Sequence, residues 1–514
     1  MTPTEQATSA QDQEAVLAFL GNREPNCKRV DTHASIVFLG KDRVFKVKRA
    51  VRLPFLDYST IEKRRQACED ELVVNRPFAP KIYRRTVPIT QGDGGLEIGG
   101  PGPVIEWTVE MSRFDDSKTF DHLARAGGVT PELAEALAGT LHDAHQRAGV
   151  ADGSSWLASI SGIIDRNTRI FRDEAELPTD TVERLDALSH QRLKECRDLL
   201  RARGSCGLVR RCHGDAHLGN IVLIDEKPVL FDAIEFDPVI STTDVLYDLA
   251  FPVMDFCHFG LMTCANRLFN GYVQTNWTES GNALRLLPLF LSMRAAIRAN
   301  VLFTKRRLSP DHDAADARAY FDLALRCLMP ARPSLIAVGG KSGTGKSVLA
   351  RAIAPLLSPL PGAVLLRSDV IRKELFGVDP LTALPEAAYT PEITARVYRK
   401  LLERSRTAFD QGFSVVIDAA FLKESERGEL SIAAQKMGAD FRPAFLTAGL
   451  AVRLDRIRSR RRDASDATPA IATGQEDYDI GKMTWPTVDA SGSPEQTLEL
   501  AKPFLLGQAG RIDR

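Results

Sequence analysis

Residues 334–347 read SLIAVGGKSGTGKS, a short apolar run that leads into a glycine-rich loop. The loop fits the pattern GxxxxGK[ST] between Gly340 and Ser347, and apolar residues at helical spacing follow over residues 348–357. In such a strand–loop–helix unit, glycines let backbone N–H groups turn toward phosphate oxygens, the lysine adds positive charge, and the hydroxyl ligates Mg²⁺. The residues predicted to bind nucleotide phosphates are Gly340, Lys341, Ser342, Gly343, Thr344, Gly345, Lys346 and Ser347.

A second apolar run, AVLLRSD at residues 363–369, predicts another strand followed by a short helix. Asp369 and Arg372 then lie at the carboxyl edge of the sheet, where open α/β sheets bind ligands. This pattern suits an acceptor site in which Asp369 takes a hydroxyl proton and Arg372 anchors an acceptor or phosphate oxygen. The alternative is a helix-capping aspartate beside a solvated arginine.

Two further features fit the same site. The apolar run FSVVIDAAF at residues 413–421 carries Asp418 near its end, where a carboxylate is expected to orient Mg²⁺. Six arginines within residues 453–462 predict a basic helix that closes over ATP, with Arg456 and Arg460 on one face. A turn aspartate and a solvated basic helix are the respective alternatives.

Residues 333 to about 508 resemble the small P-loop kinases that phosphorylate hydroxyls of metabolites or polynucleotides, related to gluconate kinase and polynucleotide 5′-kinase. The second comparison depends on the S-D-x-x-R element, here Ser368, Asp369 and Arg372. The resemblance implies a P-loop NTPase fold with a parallel sheet. It leaves the acceptor open, because no arginine-rich strand clearly fixes one.

A second set of candidate catalytic and metal-binding residues lies at residues 209–232, which read VRRCHGDAHLGNIVLIDEKPVLFD. Asp215 is followed five residues later by Asn220, and a predicted hairpin then returns Asp232 beside them. Two oxygen ligands, from Asn220 and Asp232, would hold Mg²⁺ on ATP while Asp215 receives the acceptor proton. The alternative is a polar hairpin with structural aspartates.

This segment resembles the aminoglycoside phosphotransferase and choline kinase family, which has a bilobal, protein-kinase-like fold. The resemblance implies that Asp215 is the catalytic aspartate and that Asn220 and Asp232 are metal ligands. It further implies a strand lysine, for which we choose Lys46, and a helix glutamate, for which we choose Glu71. The sequence departs from protein kinases because no GxGxxG precedes the lysine, and an ordinary surface lysine and glutamate remain the alternative.

Composition supports several domains. The chain has 514 residues, 44% of them hydrophobic, with 67 basic and 67 acidic side chains, which excludes global disorder and argues against a nucleic-acid partner. All eight cysteines precede residue 330. We expect a mobile or helical extension at residues 1–24, a kinase-like domain at 25–328 with its N-lobe to about 112, and a P-loop domain at 333–514. The two resemblances imply a fold class that combines α/β and α+β.

The start of the chain has no basic region followed by an apolar region, and charges interrupt the long apolar stretches. We therefore expect a cytoplasmic protein with no membrane partner. The leading hypothesis is a bifunctional kinase that uses Mg-ATP and a small-molecule hydroxyl acceptor at each site. The predicted catalytic residues are Asp215, Asp369, Lys346, Arg372, Arg456 and Arg460, and the predicted metal ligands are Asn220, Asp232, Ser347 and Asp418.

Two other hypotheses stay open. The missing glycine-rich loop favours an N-terminal half that is a ligand-binding or regulatory module for an active C-terminal kinase. The S-D-x-x-R element favours a nucleic-acid 5′-hydroxyl kinase, although its basic residues are concentrated in one segment rather than spread over a wide surface.

Overall fold

The computed structural model describes residues 10–53, 56–308, 314–460 and 463–507. By internal contacts the chain forms two compact units. One comprises the chain up to Ile160 together with Arg197–Asp255, and the other comprises Ser161–Cys196 together with the chain from Phe256 onward. The helices of residues 256–328 therefore group with the P-loop sheet, and the domain boundary near residue 330 stays a prediction from the sequence.

The N-lobe is built mainly of strands, and the two longest are partly or largely buried. The strands are β1 Lys28–Asp31, β2 Ser35–Leu39, β3 Arg43–Lys48, β4 Arg52–Leu53, β5 Leu56–Asp57, β6 Tyr83–Gly92, β7 Gly95–Ile98 and β8 Val104–Ser112. Six of these make one sheet in the order β1-β2-β3-β8-β6-β7, in which all neighbours are antiparallel. The other two strands, β4 and β5, pair with each other.

Two helices accompany this sheet, α1 Ala10–Gly21 and α2 Ile61–Asn75. Thr60 caps α2, because its side chain accepts a hydrogen bond from the Lys63 N–H. The apolar side chains of α1, including Val16 and Leu20, are buried in a core shared with β2, β3 and β6. Part of the predicted N-terminal extension therefore belongs to the N-lobe core, and residues 1–9 lie outside the described residues.

The chain after the N-lobe is mainly helical. Its helices are α3 Phe120–Arg125, α4 Pro131–Arg147, α5 Gly153–Arg172, α6 Thr179–Ser205, α7 Pro238–Ser241, α8 Val245–His258, α9 Met262–Thr275, α10 Trp277–Ser280, α11 Leu287–Leu308 and α12 Ala314–Leu328. Four short strands lie among them, and they are β9 Val209–Arg211, β10 Ile221–Ile224, β11 Lys227–Leu230 and β12 Thr242–Asp244. The β10–β11 pair is the predicted hairpin, and its two turn residues, Asp225 and Glu226, have positive φ.

The remaining chain forms the predicted parallel sheet. Its strands are β13 Ser334–Gly340, β14 Val364–Arg367, β15 Val415–Asp418, β16 Asp440–Thr447 and β17 Thr487–Asp489. They lie in the order β14-β15-β13-β16-β17, with every neighbour parallel. The accompanying helices are α13 Lys346–Ile353, α14 Ser368–Leu375, α15 Pro391–Asp410, α16 Glu424–Met437, α17 Leu450–Ser459, α18 Pro469–Gly474 and α19 Pro494–Leu505.

Three strands of this sheet, β13, β14 and β15, are mainly apolar because they are buried. All seven residues of β13 and all four of β14 and β15 are buried. Helices α13 and α19 pack their apolar side chains against the sheet in one core. This arrangement brings the carboxyl ends of β13, β14 and β15 to the same edge, where the predicted site residues lie.

One stretch of the described residues is long and apolar enough to cross a membrane. It is Trp277–Arg307, with a mean hydropathy of 1.4 over its most apolar window. The expectation that charge interrupts every such stretch is therefore wrong by this criterion. However, 72% of that window is buried inside the protein, as is usual for a core helix.

Candidate active sites

Two lysines of β3 share one buried glutamate in the N-lobe. Lys46 and Lys48 lie two residues apart and therefore on the same face of the strand. The Lys46 Nζ lies 2.8 Å from Glu71 Oε1, and the Lys48 Nζ lies 2.7 Å from Glu71 Oε2. The structure thus brings together the predicted Lys46 and Glu71, and it adds Lys48 as a second partner of the same carboxylate.

Two more carboxylates complete this charged cluster. Asp232 Oδ1 lies 2.6 Å from the Lys46 Nζ, and Glu235 Oε1 lies 2.5 Å from the Lys48 Nζ. Burial would raise the pKa of Glu71, but the two ammonium groups outweigh it and hold that pKa below the usual value. Burial would likewise lower the pKa of Lys48, but Glu71 and Glu235 raise it above the usual value. Glu71 and Lys48 are therefore charged at neutral pH.

The loop that carries Asp215 is held by its own side chains and by helix α8. The Asn220 Nδ2 donates hydrogen bonds to the Asp215 backbone oxygen at 3.0 Å and to Asp215 Oδ2 at 3.2 Å. The Gly214 N–H donates to Asp248 Oδ1 at 2.9 Å, and the other oxygen of Asp248 lies 3.1 Å from His145 Nε2. The side chains of Asp215 and Asn220 are therefore adjacent, and the buried Asp248 of helix α8 holds the loop at Gly214.

The hairpin returns Asp232 to this loop. The Phe231 N–H donates to the Asn220 backbone oxygen at 3.0 Å, which places the end of β11 beside Asn220. Asp232 has φ 59°, in the left-handed region that non-glycine residues seldom occupy. Helix α2 holds the next residue, because the Ala233 N–H donates to Asn75 Oδ1 at 2.6 Å. The chain therefore fixes the predicted ligands Asn220 and Asp232 close together.

The phosphate loop, residues 340–347, has the backbone that its glycines predict. All three glycines of the loop have positive φ, and they are Gly340 (143°), Gly343 (83°) and Gly345 (94°). A Cβ atom on Gly343 would lie 2.6 Å from the Arg453 backbone oxygen, so a larger residue would displace neighbouring backbone. Helix α13 starts at Lys346, whose Nζ donates to the Lys341 backbone oxygen at 3.0 Å. Burial lowers the pKa of the Lys346 ammonium.

The structure brings the two predicted metal ligands of the second site together. The Ser347 Oγ lies 2.6 Å from Asp418 Oδ2, because β13 and β15 are neighbours that end at the same edge. Arg367 joins them, with its Nε 3.0 Å from Asp418 Oδ2 and its Nη2 3.0 Å from the Ser347 Oγ. The same Nη2 lies 3.1 Å from Asp463 Oδ1. A buried guanidinium therefore neutralises the carboxylates at this edge of the sheet.

Asp369 and Arg372 have different environments. Burial, assisted by the charge of Asp418, raises the pKa of Asp369 above the usual value for an aspartate. The Arg372 Nη1 donates to the Ala388 backbone oxygen at 2.8 Å, and its guanidinium lies 4.7 Å from the centre of the Tyr389 ring. Asp369 is therefore a carboxyl with a raised pKa, whereas the Arg372 guanidinium contacts the segment that precedes α15.

The expectation that Arg456 and Arg460 share a helix face is wrong. Helix α17 ends at Ser459, and Arg460 has extended backbone. Arg456 donates to the backbone oxygen of Gly492 at 2.7 Å, and Arg460 donates to that of Ser465 at 3.3 Å. The sequence did not show where this helix ends, because the basic residues near its end carry no strong stop signal. Arg461 and Arg462 lie outside the described residues.

Another arginine of α17 holds the phosphate loop instead. The guanidinium of Arg453 is buried, donates to the Ser342 backbone oxygen at 3.2 Å and pairs with Glu476. Glu476 also lies 3.0 Å from the Lys341 Nζ, and the Gln475 side chain accepts the Ser342 N–H at 2.7 Å. Residues 475 and 476 and helix α17 therefore fix the first half of the loop.

The sequence analysis assigned no role to Arg367 or Lys48, and it treated Arg453 only as one of six arginines in a basic helix. A position signal existed for Arg367, because it is the last residue of β14 at the ligand-binding edge. Arg453 and its partner Glu476 are separated by 23 residues, so no local pattern links them. Lys48 lies two residues after Lys46 on the same strand face. Its membership of the cluster is shown by the contact of both ammonium groups with the Glu71 carboxylate.

Comparisons with known proteins agree with this division into two sites. A family model described as a phosphotransferase enzyme family matches residues 40–281, and a model described as an AAA domain matches residues 335–476. The chain carries one domain of each kind. These matches confirm both predicted fold classes, a kinase-like fold followed by a P-loop fold, and they support phosphotransfer as the general chemistry.

Two mycobacterial relatives match almost the whole chain, whereas two solved structures each match one part of it. An uncharacterized protein of Mycobacterium tuberculosis is 28% identical over 493 residues, which cover 92% of this chain and 94% of the relative, and a Mycobacterium bovis protein gives the same values. A gluconokinase structure from Sinorhizobium meliloti is similar to 33% of this chain and 90% of its own, with 23% identity and a TM-score of 0.25. A choline/ethanolamine kinase family structure from Mesorhizobium loti is similar to 62% and 99%, with 14% identity and a TM-score of 0.36.

Proposed function

We propose that the protein is a bifunctional kinase in which each domain transfers the γ-phosphoryl group of Mg-ATP to a hydroxyl of a small molecule. The observation that carries the proposal is the presence of two separate clusters of phosphotransfer residues. One contains Asp215, Asn220 and Asp232, and the other contains Lys346, Ser347, Asp369 and Asp418.

At the first site, Asp215 receives the proton of the acceptor hydroxyl. The side-chain oxygens of Asn220 and Asp232 are the hard donors that Mg²⁺ prefers. Lys46 contacts Asp232 and Glu71, and its ammonium would bind phosphate oxygens of the nucleotide. When bound, Mg²⁺ neutralises charge on the phosphates.

At the second site, the positive φ of Gly343 and the lack of space for a Cβ atom there support a backbone cradle for phosphates. Lys346 begins α13 and brings positive charge to the same loop. The Ser347 hydroxyl and Asp418 offer oxygen ligands suited to Mg²⁺. Asp369, whose raised pKa favours proton uptake, would accept the proton of the second acceptor.

The test is an acceptor screen with two single-site variants. Purified protein is incubated with ATP and a panel of sugars, amino sugars and nucleosides, and phosphorylated products are measured by mass spectrometry. We expect Asp215→Ala and Lys346→Ala each to lower one acceptor-dependent activity by about 100-fold or more and to leave the other unchanged. Matched controls are the exposed residues Asp198 and Lys436. If both variants retain every activity, the proposal fails.

A second candidate is an N-terminal ligand-binding module beside one active P-loop kinase. The observation that favours it is the short β1–β2 turn. The Thr32 hydroxyl donates to the Ser35 backbone oxygen at 2.8 Å and accepts the Ser35 N–H at 2.9 Å, so the turn satisfies its own polar groups. Calorimetry with Mg-ATP on full-length Lys346→Ala protein separates the candidates, because a bifunctional kinase still binds one nucleotide and the module binds none.

A further inference from the structure

Among the strands that the structure describes, β14 is an edge strand of the P-loop sheet, and its neighbour within that sheet is β15. Successive residues of a strand direct their N–H and C=O groups to opposite sides. The Val364 N–H donates to the Ser414 backbone oxygen at 2.9 Å, on the β15 side. The polar groups of Leu365 therefore face away from the sheet, where an edge strand has no backbone partner.

Helix α9 supplies the missing partners with amide side chains. Asn266, Asn270 and Gln274 are spaced four residues apart and therefore lie along one face of the helix. The Asn270 Oδ1 accepts the Leu365 N–H at 2.8 Å, and the Gln274 Nε2 donates to the Leu365 oxygen at 3.1 Å. Asn270 and Gln274 therefore act on the edge of β14 as a neighbouring strand would.

The same amides bind the chain just before β14. The Asn266 and Asn270 Nδ2 atoms each donate to the Ala363 backbone oxygen at 3.0 Å. Both asparagines are almost fully buried, at 3% and 7% exposure. Buried amides without such partners would destabilise the fold, so these hydrogen bonds fix the position of α9 against β14.

The strand that α9 holds leads directly into the second site. Arg367 is the last residue of β14, two residues beyond Leu365, and it contacts Ser347 and Asp418. Asp369 follows in the first turn of α14. The lateral position of β14 therefore sets where Arg367 and Asp369 lie relative to the phosphate loop.

We propose that helix α9 is a working part of the P-loop kinase and that Asn270 is a positioning residue for Arg367 and Asp369. This inference goes beyond the proposed function, because α9 precedes the segment that the AAA model matches, residues 335–476. Its effect on turnover rests on that function, whereas its effect on the β14 backbone does not.

The test uses full-length Asn270→Ala protein and hydrogen exchange measured by mass spectrometry. The peptide containing Leu365 is expected to exchange about tenfold faster, because the amide loses its acceptor. The matched control is Thr275→Ala on the same helix, whose hydroxyl donates only to the Gly271 backbone oxygen of α9, at 2.8 Å. Equal protection of the Leu365 peptide in the two variants would overturn the inference.

A second readout separates positioning from general damage. For an acceptor of the Lys346-dependent activity, we expect kcat in Asn270→Ala to fall about tenfold with nucleotide affinity unchanged. If Asn270→Ala does not fold, Gln274→Ala must accelerate exchange at the same peptide, or the inference fails. A changed exchange rate without any Lys346-dependent activity would contradict the proposed function and not the role of α9.

Discussion

Glu71 determines the charge balance of the first site. It is fully buried and contacts the ammonium groups of both Lys46 and Lys48. Replacing it by glutamine leaves two buried cations with one carboxylate fewer, which usually costs about 3 kcal/mol. We therefore expect Glu71→Gln to unfold at a clearly lower urea concentration than the unaltered protein.

The control for this prediction is Glu69→Gln, on the same helix. Glu69 is only partly exposed, and its carboxylate lies 3.7 Å from the Arg65 Nε, a weak surface pair. Its loss should change the unfolding midpoint very little. Equal midpoints for the two variants would show that the buried cluster does not stabilise the N-lobe.

Asp369 gives the second site a definite pH dependence. A base must be unprotonated, so the Lys346-dependent turnover should rise with pH through a midpoint above the usual aspartate value, because burial and Asp418 raise this pKa. The stability effect has the opposite sign. The folded state holds this proton more tightly than the unfolded chain, so the stabilising contribution is complete at low pH and is lost as pH rises through the raised pKa.

The measurement is acceptor-dependent turnover of Asp215→Ala protein from about pH 4 to pH 8. Using this variant leaves only the second site active. Asp369→Asn should lose both the activity and its acidic limb. A midpoint at or below the usual aspartate value would show that another group accepts the proton.

At the scale of elements, helix α17 stabilises the phosphate loop through Arg453. Its guanidinium joins the Ser342 backbone to Glu476, which also pairs with Lys341. We expect Arg453→Ala to loosen the loop and to weaken nucleotide binding at the second site by about tenfold. Titration of a fluorescent ATP analogue into Asn220→Ala, Asp232→Ala protein, which lacks both predicted metal ligands of the first site, measures this affinity.

The matched control is Arg458→Ala, because Arg458 lies on the same helix and is exposed. A solvated basic face, the alternative that the sequence left open, predicts the same small effect for both arginines. A purely electrostatic role for the arginine cluster also predicts similar effects. Only the contacts of Arg453 predict that the two variants differ.

The elements were easier to predict from the sequence than the contacts between them. The phosphate loop and the β10–β11 hairpin follow from local signals, namely glycines at fixed positions and apolar runs interrupted by turn residues. The end of α17 was missed because Arg460 and the residues before it have similar helix propensities. The pairing of Arg453 with Glu476 and the amides of α9 depend on tertiary contacts that no local pattern contains.

At the scale of the whole molecule, the predicted module boundary and the compact units do not coincide. The family matches end at residue 281 and resume at residue 335, whereas contacts group residues 256–328 with the P-loop sheet. Arg285 illustrates this grouping, because its Nη2 donates to the Asp410 backbone oxygen at 2.9 Å. The stacked rings of Phe269 and Phe413, 5.5 Å apart, add an apolar contact.

This grouping predicts that the two halves stay together when the connecting segment is cut. Residues 329–333 join α12 to β13 and include the exposed Met329, so a protease site placed there should be cleaved without disturbing either half. We expect the two fragments to co-elute on size exclusion, because the amides of α9 and the Phe269–Phe413 contact still bind β14 and β15. An Asn266→Ala, Asn270→Ala double variant should separate more readily after the same cleavage, with Thr275→Ala as the control. Fragments that separate without any substitution would show that the P-loop kinase does not depend on α9.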